Sequence, residues 1–287
     1  MFYYLCSKYS AMTQEKIDLL KKVLSVPTAT HREGMLVEYI CQWLKENKIE
    51  YYIDDMLNIY ATKQTDENVE YFPCVIAHTD TVHGLNEINI QEERLKNAQE
   101  EVKLALKAYN DHGMPTGIGG DDKAGVFACM QVLIDLPNVK AAFFVAEETG
   151  CHGSNKADKD FFSNVGYGIQ FDAPENWMVT ELCWGQRLFD RESEFFETCN
   201  NILTEGIGET LEYLVHPYTD VYSLRGKFDF SCINISIGYY DYHTKDEYVV
   251  IEDVFNGIEM GKKMILTLGN RLHYLKHGKK FTTNWLY

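Results

Sequence analysis

The sequence predicts an α/β fold: a three-layer αβα sandwich with a mostly parallel, mixed sheet and helices on both faces. Short continuous apolar runs such as "FPCVIAH" and "VKAAFFVAEE" have the composition of strands that are buried on both sides. Amphipathic segments with helical spacing alternate with these runs. No internal repeat or low-complexity linker divides the 287 residues, so we expect a single domain over residues 1–287.

The first two helices are predicted near the beginning of the chain. The segment "TQEKIDLLKKVLSVP" has apolar residues at helical spacing, and Pro27 ends it. A second amphipathic helix is expected in "THREGMLVEYICQWLKEN". There, Thr30 and Glu33 have the spacing of a capping box, in which both side chains bond backbone N–H groups at the start of a helix.

Strands are predicted in the next part of the chain. The segment "YYIDDMLNIYATK" is typical of two short strands joined by a turn at Asp54 and Asp55, and "YFPCVIAHTD" is typical of a buried strand. Residues 89–108 mix charged and apolar side chains without clean alternation, so no element is assigned to them.

A glycine-rich loop, "DHGMPTGIGGDD", precedes a predicted helix in "KAGVFACMQVLIDLP". Five apolar residues are expected on one face of this helix: Val126, Phe127, Met130, Leu133 and Ile134. Further buried strands are predicted in "VKAAFFVAEE", "VGYGIQFDA" and "FDFSCINISIGYYDYH". The last long helix is expected in "IEDVFNGIEMGKKMILTL".

The charge balance argues against two kinds of partner. The chain has 27 Lys and Arg residues against 43 Asp and Glu residues, which gives a formal net charge of −16. Nucleic acids and anionic membrane surfaces both bind basic patches. We therefore expect no nucleic-acid partner and no membrane partner.

The cysteines and the first residues of the chain indicate a cytoplasmic protein. The eight cysteines include no C-x-x-C pair, and several lie inside apolar runs, as reduced and buried cysteines do. The segment "MFYYLCSKYSAMTQEK" lacks the basic start, the long apolar region and the cleavage site of a signal peptide. No transmembrane span is predicted either.

Side chains of the types that bind metals follow the predicted buried strands. These residues are His78, Asp80, Glu147, Glu148, Asp172 and His243. In open α/β sheets, ligands bind at the carboxyl ends of the strands. We therefore expect these side chains to gather at one edge of the sheet.

Carboxylates gathered in that way repel one another unless a cation lies between them. One divalent cation, or two that share a carboxylate, removes the repulsion, and imidazole with carboxylate ligands suits Zn²⁺, Mn²⁺ or Co²⁺. Two such ions about 3.5–4 Å apart lower the pKa of a shared water and polarise a carbonyl group. The adjacent Glu147 and Glu148 could then divide the work, one binding a metal and the other taking the proton from that water.

Each motif has a simpler explanation when it is taken alone. H-x-D after a strand is common in surface turns, paired glutamates are usually solvated, and His243 could be a buried core histidine. The loop "GIGGDDKAG" is similar to a phosphate-binding loop, but no G-K-[ST] follows and Asp122 replaces the third glycine of G-x-G-x-x-G. The H-E-x-x-H motif of single-zinc peptidases is absent. The metal site is predicted by the ordered combination of motifs.

Five motifs in order, "AHTDTV", "GGDDKAG", "AEETG", "FDA" and "YYDYHTKDEYV", resemble the co-catalytic dizinc peptidases of the tripeptidase, carboxypeptidase G and aminoacylase superfamily, and peptidase T in particular. The motifs span Ala77 to Val249. The resemblance implies a zinc-exopeptidase-like fold and a single metallopeptidase catalytic domain over residues 1–287. It also implies two divalent metal ions as cofactors, with Zn²⁺ as the leading candidate and Mn²⁺ or Co²⁺ as alternatives.

The resemblance further implies a role for each residue around the first metal. His78 and Asp172 would bind that metal, and Asp80 would orient the His78 imidazole from behind. Asp121 would bridge both metals, with a cis peptide bond between Asp121 and Asp122.

The second metal would have its own pair of ligands, Glu148 and His243. Glu147, which directly precedes Glu148, would be the general base that takes the proton from the activated water. The catalytic residues implied in this way are Glu147 and Asp80, and the five metal ligands are His78, Asp121, Glu148, Asp172 and His243.

One part of the family pattern is missing from the sequence. Full-length members have an extra lid and dimerisation domain between the residues that correspond to Asp172 and His243. Here that interval holds about one helix, "RESEFFETCNNILTE", some loop and the strand before His243, so no separate lid domain is expected. Lidless relatives of the Aeromonas and tetrahedral-assembly aminopeptidase types bind a free N-terminus beside the metals. A homo-oligomer through another surface is compatible with this loss.

We therefore expect a metal-dependent exopeptidase of the aminopeptidase or tripeptidase type that hydrolyses peptide bonds of short peptides. An amidohydrolase or deacylase acting on N-acyl amino acids with the same two metals is the alternative, so the substrate is a short peptide or an acylated amino acid. A non-catalytic metal-binding domain is the third hypothesis. Asp220 would lie near a substrate amine or in a solvated turn. Candidate oxyanion donors, with ordinary packing as their simpler explanation, are Tyr239, Tyr240, Tyr242 and His152.

Overall fold

A computed structural model of the chain describes residues 13–96, 101–208, 210–215 and 218–277. Two expectations therefore fall wholly or partly outside the described residues. They concern the absence of a signal peptide in residues 1–16 and the reduced, buried state of Cys6.

The described residues form seven α-helices and one short 3-10 helix, Ser154–Lys156. The α-helices are α1 (Gln14–Ser25), α2 (Gly34–Glu46), α3 (Gly120–Asp135), α4 (Lys159–Phe162), α5 (Glu194–Ile207), α6 (Asp220–Arg225) and α7 (Ile251–Leu268). The helices predicted in "TQEKIDLLKKVLSVP", "RESEFFETCNNILTE" and "IEDVFNGIEMGKKMILTL" are confirmed as α1, α5 and α7.

The main sheet has nine strands. They are β1 (Glu50–Ile53), β2 (Ile59–Lys63), β3 (Phe72–His78), β7 (Val139–Phe144), β8 (Val165–Ala173), β9 (Met178–Cys183), β10 (Gln186–Arg187), β11 (Glu212–Val215) and β12 (Ser231–Ser236). The strand order is β1-β2-β7-β3-β8-β12-β9-β10, and β11 pairs with β9. The central strands β7, β3, β8 and β12 are parallel, whereas the outer pairings are mostly antiparallel.

The central strands form because their apolar residues are buried on both faces. Every residue of β3, β7 and β12 is buried, as expected for a parallel sheet covered by helices. The alternation along β8 shows the two covered faces. The Gln170 side chain contacts the start of α6, and the ring of the next residue, Phe171, lies against Gly261 of α7. The predicted α/β sandwich is confirmed.

Residues 89–96 and 102–109 form most of a second, antiparallel sheet that the sequence did not predict. Its strands are β4 (Asn89–Lys96), β5 (Val102–Tyr109), β6 (Pro115–Thr116), β13 (Tyr239–Tyr240) and β14 (Tyr248–Val250). The order is β13-β14-β5-β4, with β6 beside β5. This sheet matters for function because the connection between β13 and β14 carries His243.

The predicted capping box is wrong. Helix α2 begins at Gly34, and the Glu33 side chain makes no cap hydrogen bond. Glu33 Oε1 instead accepts hydrogen bonds from the N–H groups of His31 and Ala146, and the Thr30 hydroxyl donates to Asp80. Glu33 therefore holds the loop after β7 and Thr30 holds the segment after β3, because tertiary contacts replace the local one that the spacing suggested.

Helix α3 is buried on all sides, and not on one face only. Every residue from Gly120 to Leu133 is buried, whereas Ile134, predicted on the buried face, is 40% exposed. The helix lies between the main sheet, α1 and α7 and contacts the second sheet. The prediction of a single buried face was wrong because these four neighbours cover the helix on all sides.

The last predicted strand, "FDFSCINISIGYYDYH", is divided between the two sheets. It forms β12 in the main sheet and β13 in the second sheet. Gly238 stands between them with a φ of 79°, in the left-handed region. A Cβ there would lie 2.8 Å from the Val254 backbone nitrogen of α7, so the chain changes sheets where it passes close to that helix.

No separate lid is present in the described part of residues 173–242, as expected. This interval contributes β9 to β12 to the main sheet, together with α5 and α6. The seven cysteines within the described ranges are buried and free. No described helix has the length and apolar character needed to cross a membrane.

Candidate metal centre

The site begins with His78, the last residue of β3. Its side chain is 1% exposed, and its Nε2 atom lies 3.0 Å from Asp121 Oδ1 and 3.3 Å from Asp172 Oδ1. Asp172 lies near the end of β8, the parallel neighbour of β3. The sheet therefore brings His78 and Asp172 together as the sequence predicted.

Asp121 stands between two groups of side chains. Its Oδ1 atom faces His78, whereas its Oδ2 atom lies 3.2 Å from His243 Nε2. The residue is in the turn that starts α3, with non-helical backbone angles and a cis peptide bond to Asp122, as the resemblance implied. A carboxylate with its two oxygens directed to different imidazoles has the arrangement of a bridging ligand.

Glu148 and His243 form the second group. His243 Nε2 lies 3.0 Å from Glu148 Oε2 and 3.1 Å from Oε1. The His243 side chain is 42% exposed, in contrast to His78. This half of the site is therefore open to solvent.

The five predicted ligands thus lie together in the structure. His78, Asp121 and Glu148 form a group that could hold a metal ion, and His78, Asp122 and Asp172 form another. In each group the ligand atoms lie within 4.8 Å of one another. The donor set, imidazole nitrogen and carboxylate oxygen, fits Zn²⁺, Mn²⁺ or Co²⁺.

Burial and neighbouring charges shift the pKa values of the residues in the site. Burial by itself lowers the pKa of His78, but Asp172 and Asp121 outweigh it and raise that pKa well above its usual value. Burial also raises the pKa of Asp172 to about 8, although His78 opposes the shift. Hydrogen bonds to Asp121 and Glu148 raise the pKa of His243 to about 10. These shifts reflect the mutual repulsion of buried carboxylates, which a bound cation would relieve.

Asp80 has a wider role than the orientation of His78. The His78 Nδ1 atom lies 3.0 Å from the Asp80 backbone carbonyl and 3.4 Å from the Asp80 carboxylate. The same carboxylate accepts hydrogen bonds from the N–H groups of Glu147 at 2.9 Å and Glu148 at 3.2 Å. A fourth contact comes from the Thr30 hydroxyl. Asp80 therefore links the end of β3 to the loop that follows β7.

Glu147 is buried in that loop, directly before Glu148 in the chain. It is 6% exposed, and its Oε1 atom accepts a hydrogen bond from the Cys151 thiol at 3.4 Å. Burial raises the pKa of Glu147 well above its usual value. Ala146, which precedes it, has a φ of 52° and donates its N–H to Glu33. The carboxyl is thus held in place by a loop that is itself fixed at several points.

Asp122, the second acid of the "GGDDKAG" motif, is a supporting residue to which the sequence assigned no role. It is fully buried, and its Oδ2 atom accepts the His78 backbone N–H at 3.0 Å. Its Oδ1 atom accepts the Gly125 N–H at 3.1 Å. The residue therefore joins the end of β3 to the first turn of α3. The presence of a second acid in "GGDD" was the only sequence signal for this supporting role.

Gln170 is a second residue that sequence reasoning missed. Its Nε2 atom donates to Asp172 Oδ2 at 2.8 Å, while its Oε1 atom accepts from the Thr219 hydroxyl and the Val221 N–H. Asn234 of β12 accepts the Asp172 N–H at 2.9 Å. Asp172 is therefore held from two sides, and the only sequence signal was a polar residue two positions before it on a buried strand.

The four candidate oxyanion donors differ in their exposure and in their hydrogen-bond partners. The Tyr239 hydroxyl is buried and lies 3.5 Å from Asp172 Oδ1. The Tyr240 hydroxyl donates a hydrogen bond to Asp253 at 2.7 Å, so its proton is already used outside the group of candidate ligands. Tyr242 is 40% exposed beside the His243 ring, and the exposed His152 ring lies 6.1 Å from that of His31.

Asp220 is fully buried at the first position of α6, so a solvated turn is excluded. Burial raises its pKa to about 7. Its carboxylate acts electrostatically on Glu147 and Asp172. It therefore belongs to the interior of the site.

No protein-family model matches the chain, and no curated protein sequence matches it. Solved structures of other proteins do match the chain. The aminopeptidase PepT from Bacillus cereus ATCC 10987 superposes with a TM-score of 0.70 at 14% identity, and the match covers 89% of this chain and 98% of that one. A tripeptidase from Staphylococcus aureus Mu50 gives 0.70 at 11% identity with the same coverage.

An archaeal structure is also similar. An aminopeptidase from Desulfurococcus kamchatkensis gives a TM-score of 0.64 at 13% identity, covering 88% of this chain and 94% of that one. At these identities, the comparisons establish a shared three-dimensional arrangement. The expected resemblance is thereby confirmed at the level of structure: the chain has the fold of the aminopeptidase and tripeptidase structures that it matches.

Proposed function

We propose that this chain is a metal-dependent exopeptidase that hydrolyses peptide bonds of short peptides, of the aminopeptidase or tripeptidase type. The observation that carries the proposal is the Asp121 carboxylate, whose two oxygens face His78 and His243 separately. This is the geometry that two cations sharing one carboxylate require. The fold shared with peptidases of known structure supports the same conclusion.

In this proposal His78 and Asp172 hold one cation, Glu148 and His243 hold the other, and Asp121 holds both. When bound, the cation pair supplies a water of lowered pKa and a polarised substrate carbonyl. Zn²⁺ is our first choice, since two of the ligands are imidazoles, and Mn²⁺ and Co²⁺ remain alternatives.

Glu147 acts as the general base. Its carboxyl is buried directly before Glu148 in the chain, and burial raises its pKa well above the usual range, although His78 opposes the shift. A carboxylate with a raised pKa accepts a proton from water more readily and can then deliver it to the leaving amine. Asp80 positions this base, because it accepts the backbone N–H of Glu147. The Tyr239 hydroxyl is our candidate for a further donor to the oxyanion.

The charge of the site favours a peptide with a free N-terminus. The charges that act most strongly on the site carboxylates are one another and the histidines His78 and His243. No lysine or arginine in the described ranges is among them. With two divalent cations bound, the site carboxylates would offset the metal charge, and no cationic side chain of the described ranges would remain to pair with a substrate carboxylate. This favours an aminopeptidase over a deacylase of N-acyl amino acids, which would need a cation for the substrate carboxylate.

The test combines metal analysis with a substrate panel. The purified protein should contain up to two divalent ions per chain, and it should cleave aminoacyl-p-nitroanilides and tripeptides but not N-acetyl amino acids. Cleavage of the acetylated compounds alone would establish the deacylase alternative. Bound metal with no hydrolysis of any compound would leave the non-catalytic metal-binding domain as the correct hypothesis.

Glu147→Gln provides the sharpest variant. We expect kcat to fall about 100- to 10,000-fold, because the base is lost, while the metal content stays at the wild-type level. Glu181→Gln is the matched control, since Glu181, on β9, is also buried but pairs with Arg191. Wild-type turnover in Glu147→Gln would show that the base has been assigned wrongly.

We also propose that the protein is located in the cytoplasm and that several copies of the chain can assemble into a homo-oligomer. The seven buried, free cysteines suit a reducing compartment. One of the structural neighbours, a peptidase from Pyrococcus horikoshii, assembles into a tetrahedron or a large octahedral shell. Light scattering of the purified protein would give the number of copies directly.

A further inference from the structure

Glu247 is a buried carboxylate that none of the proposed chemistry uses. It is 1% exposed and lies in the connection between β13 and β14, four residues after His243. Its Oε2 atom accepts the Gly119 N–H at 2.9 Å, and its Oε1 atom accepts the Asp121 N–H at 3.0 Å. Both oxygens therefore bond the backbone of the turn that carries Asp121.

A third donor completes the contact. His83 Nε2 lies 2.6 Å from Glu247 Oε2. Because an ionised carboxylate only accepts hydrogen bonds, the His83 ring nitrogen is the donor. The His83 ring also occupies the space beside Gly117, where a Cβ would lie only 1.9 Å from it. His83, Glu247 and the glycine-rich turn thus form one packed unit.

These contacts join three segments that carry proposed metal ligands. His83 belongs to the segment that follows β3 and His78, the turn carries Asp121, and Glu247 shares its loop with His243. Gly120 is pressed against the same hairpin, since a Cβ there would lie 2.6 Å from Val249. The distance between the two halves of the site is therefore set where these segments meet.

We propose that Glu247, assisted by His83, is a positioning residue that fixes the Asp121 carboxylate between the two halves of the metal centre. The inference rests on the proposed function, because it concerns a carboxylate that would be shared by two cations. It adds a requirement for an acceptor-only side chain at position 247. Glutamine offers one oxygen and one N–H₂ group, so one of the two backbone N–H groups would face another donor and lose its partner.

The test measures metal binding by Glu247→Gln, without relying on turnover. Zn²⁺ affinity is obtained by competition with a coloured chelator, and ligand geometry is read from the visible absorption of the Co²⁺-loaded protein. We expect the affinity for at least one Zn²⁺ ion to fall about 10- to 100-fold and the Co²⁺ absorption to change. His83→Ala should shift both readouts in the same direction by a smaller amount, since it removes one donor of three.

Glu181→Gln serves as the control, because this buried glutamate pairs with Arg191 and has no hydrogen bond to the turn in the described part of the chain. If Glu247→Gln does not fold, His83→Ala, whose side chain is 19% exposed, carries the same test. Wild-type Zn²⁺ affinities and an unchanged Co²⁺ spectrum in the folded variant would overturn the inference. A wild-type protein that binds neither ion would overturn the proposed function itself, and this inference with it.

Discussion

At the residue scale, the two oxygens of Asp172 have different neighbours. Oδ2 accepts the hydrogen bond from Gln170 at 2.8 Å, whereas Oδ1 lies 3.3 Å from His78 Nε2. Oδ2 is therefore held by a short hydrogen bond, whereas Oδ1 has only the longer contacts with His78 and with the Tyr239 hydroxyl at 3.5 Å. This arrangement favours binding of a cation through a single Asp172 oxygen, with Gln170 setting its direction.

Replacing Gln170 by Leu tests this arrangement. The change removes the donor to Asp172 and the acceptor for Thr219 and Val221, at about the same side-chain volume. We expect the affinity for one Zn²⁺ ion to fall about 10- to 100-fold, as is typical when a partner of a metal ligand is lost. The other ion should be less affected, since Glu148 and His243 do not contact Gln170. A competition titration measures both affinities.

Gln131→Leu is the matched control for this prediction. Gln131 is also buried, at 3% exposure, and its Oε1 atom has no hydrogen-bond partner in the described part of the chain. We expect wild-type Zn²⁺ affinities for Gln131→Leu. Equal affinities for Gln170→Leu and the wild type would show that Asp172 needs no such support.

The candidate ligands and Asp80 could be predicted from the sequence, but the other supporting residues could not. Ligands stand at strand ends within recognisable motifs, so a local pattern identifies them. Gln170 depends on Thr219, 49 positions away, and Glu33 depends on Ala146, 113 positions away. Such partners are fixed only by the folded chain. The capping-box error had the same cause, since Glu33 found a distant partner instead of a local one.

At the element scale, the central strands were predicted because they are buried on both sides, whereas the half-covered strand β4 was not predicted. Strands β3, β7 and β8 are continuous apolar runs, and all three were predicted. Strand β4 alternates between exposed and partly buried residues and contains few apolar side chains. It forms because β5 and the rest of the second sheet pair with it, which is information that its own residues do not carry.

The contact between α7 and β8 is close enough for a sharp test. A Cβ at Gly261 would lie 2.5 Å from the Phe171 ring, and that ring is fully buried directly before Asp172. Neither the helix nor the ring can move without disturbing the core. We therefore expect Gly261→Ala to lower the free energy of unfolding by about 1–3 kcal/mol. Urea unfolding, followed by circular dichroism, measures the loss.

Gly34→Ala is the control for Gly261→Ala. Gly34 is the first residue of α2, and nothing lies within 4 Å of the position where its Cβ would be. Alanine is the better helix former, so we expect the stability to stay the same or to rise by up to about 1 kcal/mol. If Gly261→Ala unfolds at the same urea concentration as the wild type, the close packing of α7 on Phe171 is not a constraint.

At the scale of the whole molecule, the site joins the two sheets. His78, Glu148 and Asp172 follow or end strands of the main sheet, whereas His243 comes from a hairpin of the second sheet. Cations held between them would connect the sheets directly. They would also relieve the repulsion among buried carboxylates in a chain whose formal net charge is −16. The folded state should therefore depend on metal.

Removal of the metal should lower the thermal stability of the protein. An ion present at about 100 times its dissociation constant stabilises the folded state by about 2.7 kcal/mol, which corresponds to roughly 5–10 °C in Tm. We expect a decrease of that size when EDTA is added, and recovery with excess Zn²⁺. Differential scanning fluorimetry of the chelated and the reloaded protein measures both.

Two histidine variants show whether this shift comes from the proposed site. His243→Ala removes a half-exposed ligand, so the Zn²⁺-dependent rise in Tm should be reduced to the part that the remaining ligands support. His112→Ala removes an exposed histidine from the turn between β5 and β6, and the full rise should persist because His112 contacts none of the ligands. An equal rise in His243→Ala and the wild type would mean that the stabilising ion binds elsewhere and that the two sheets are held together without it.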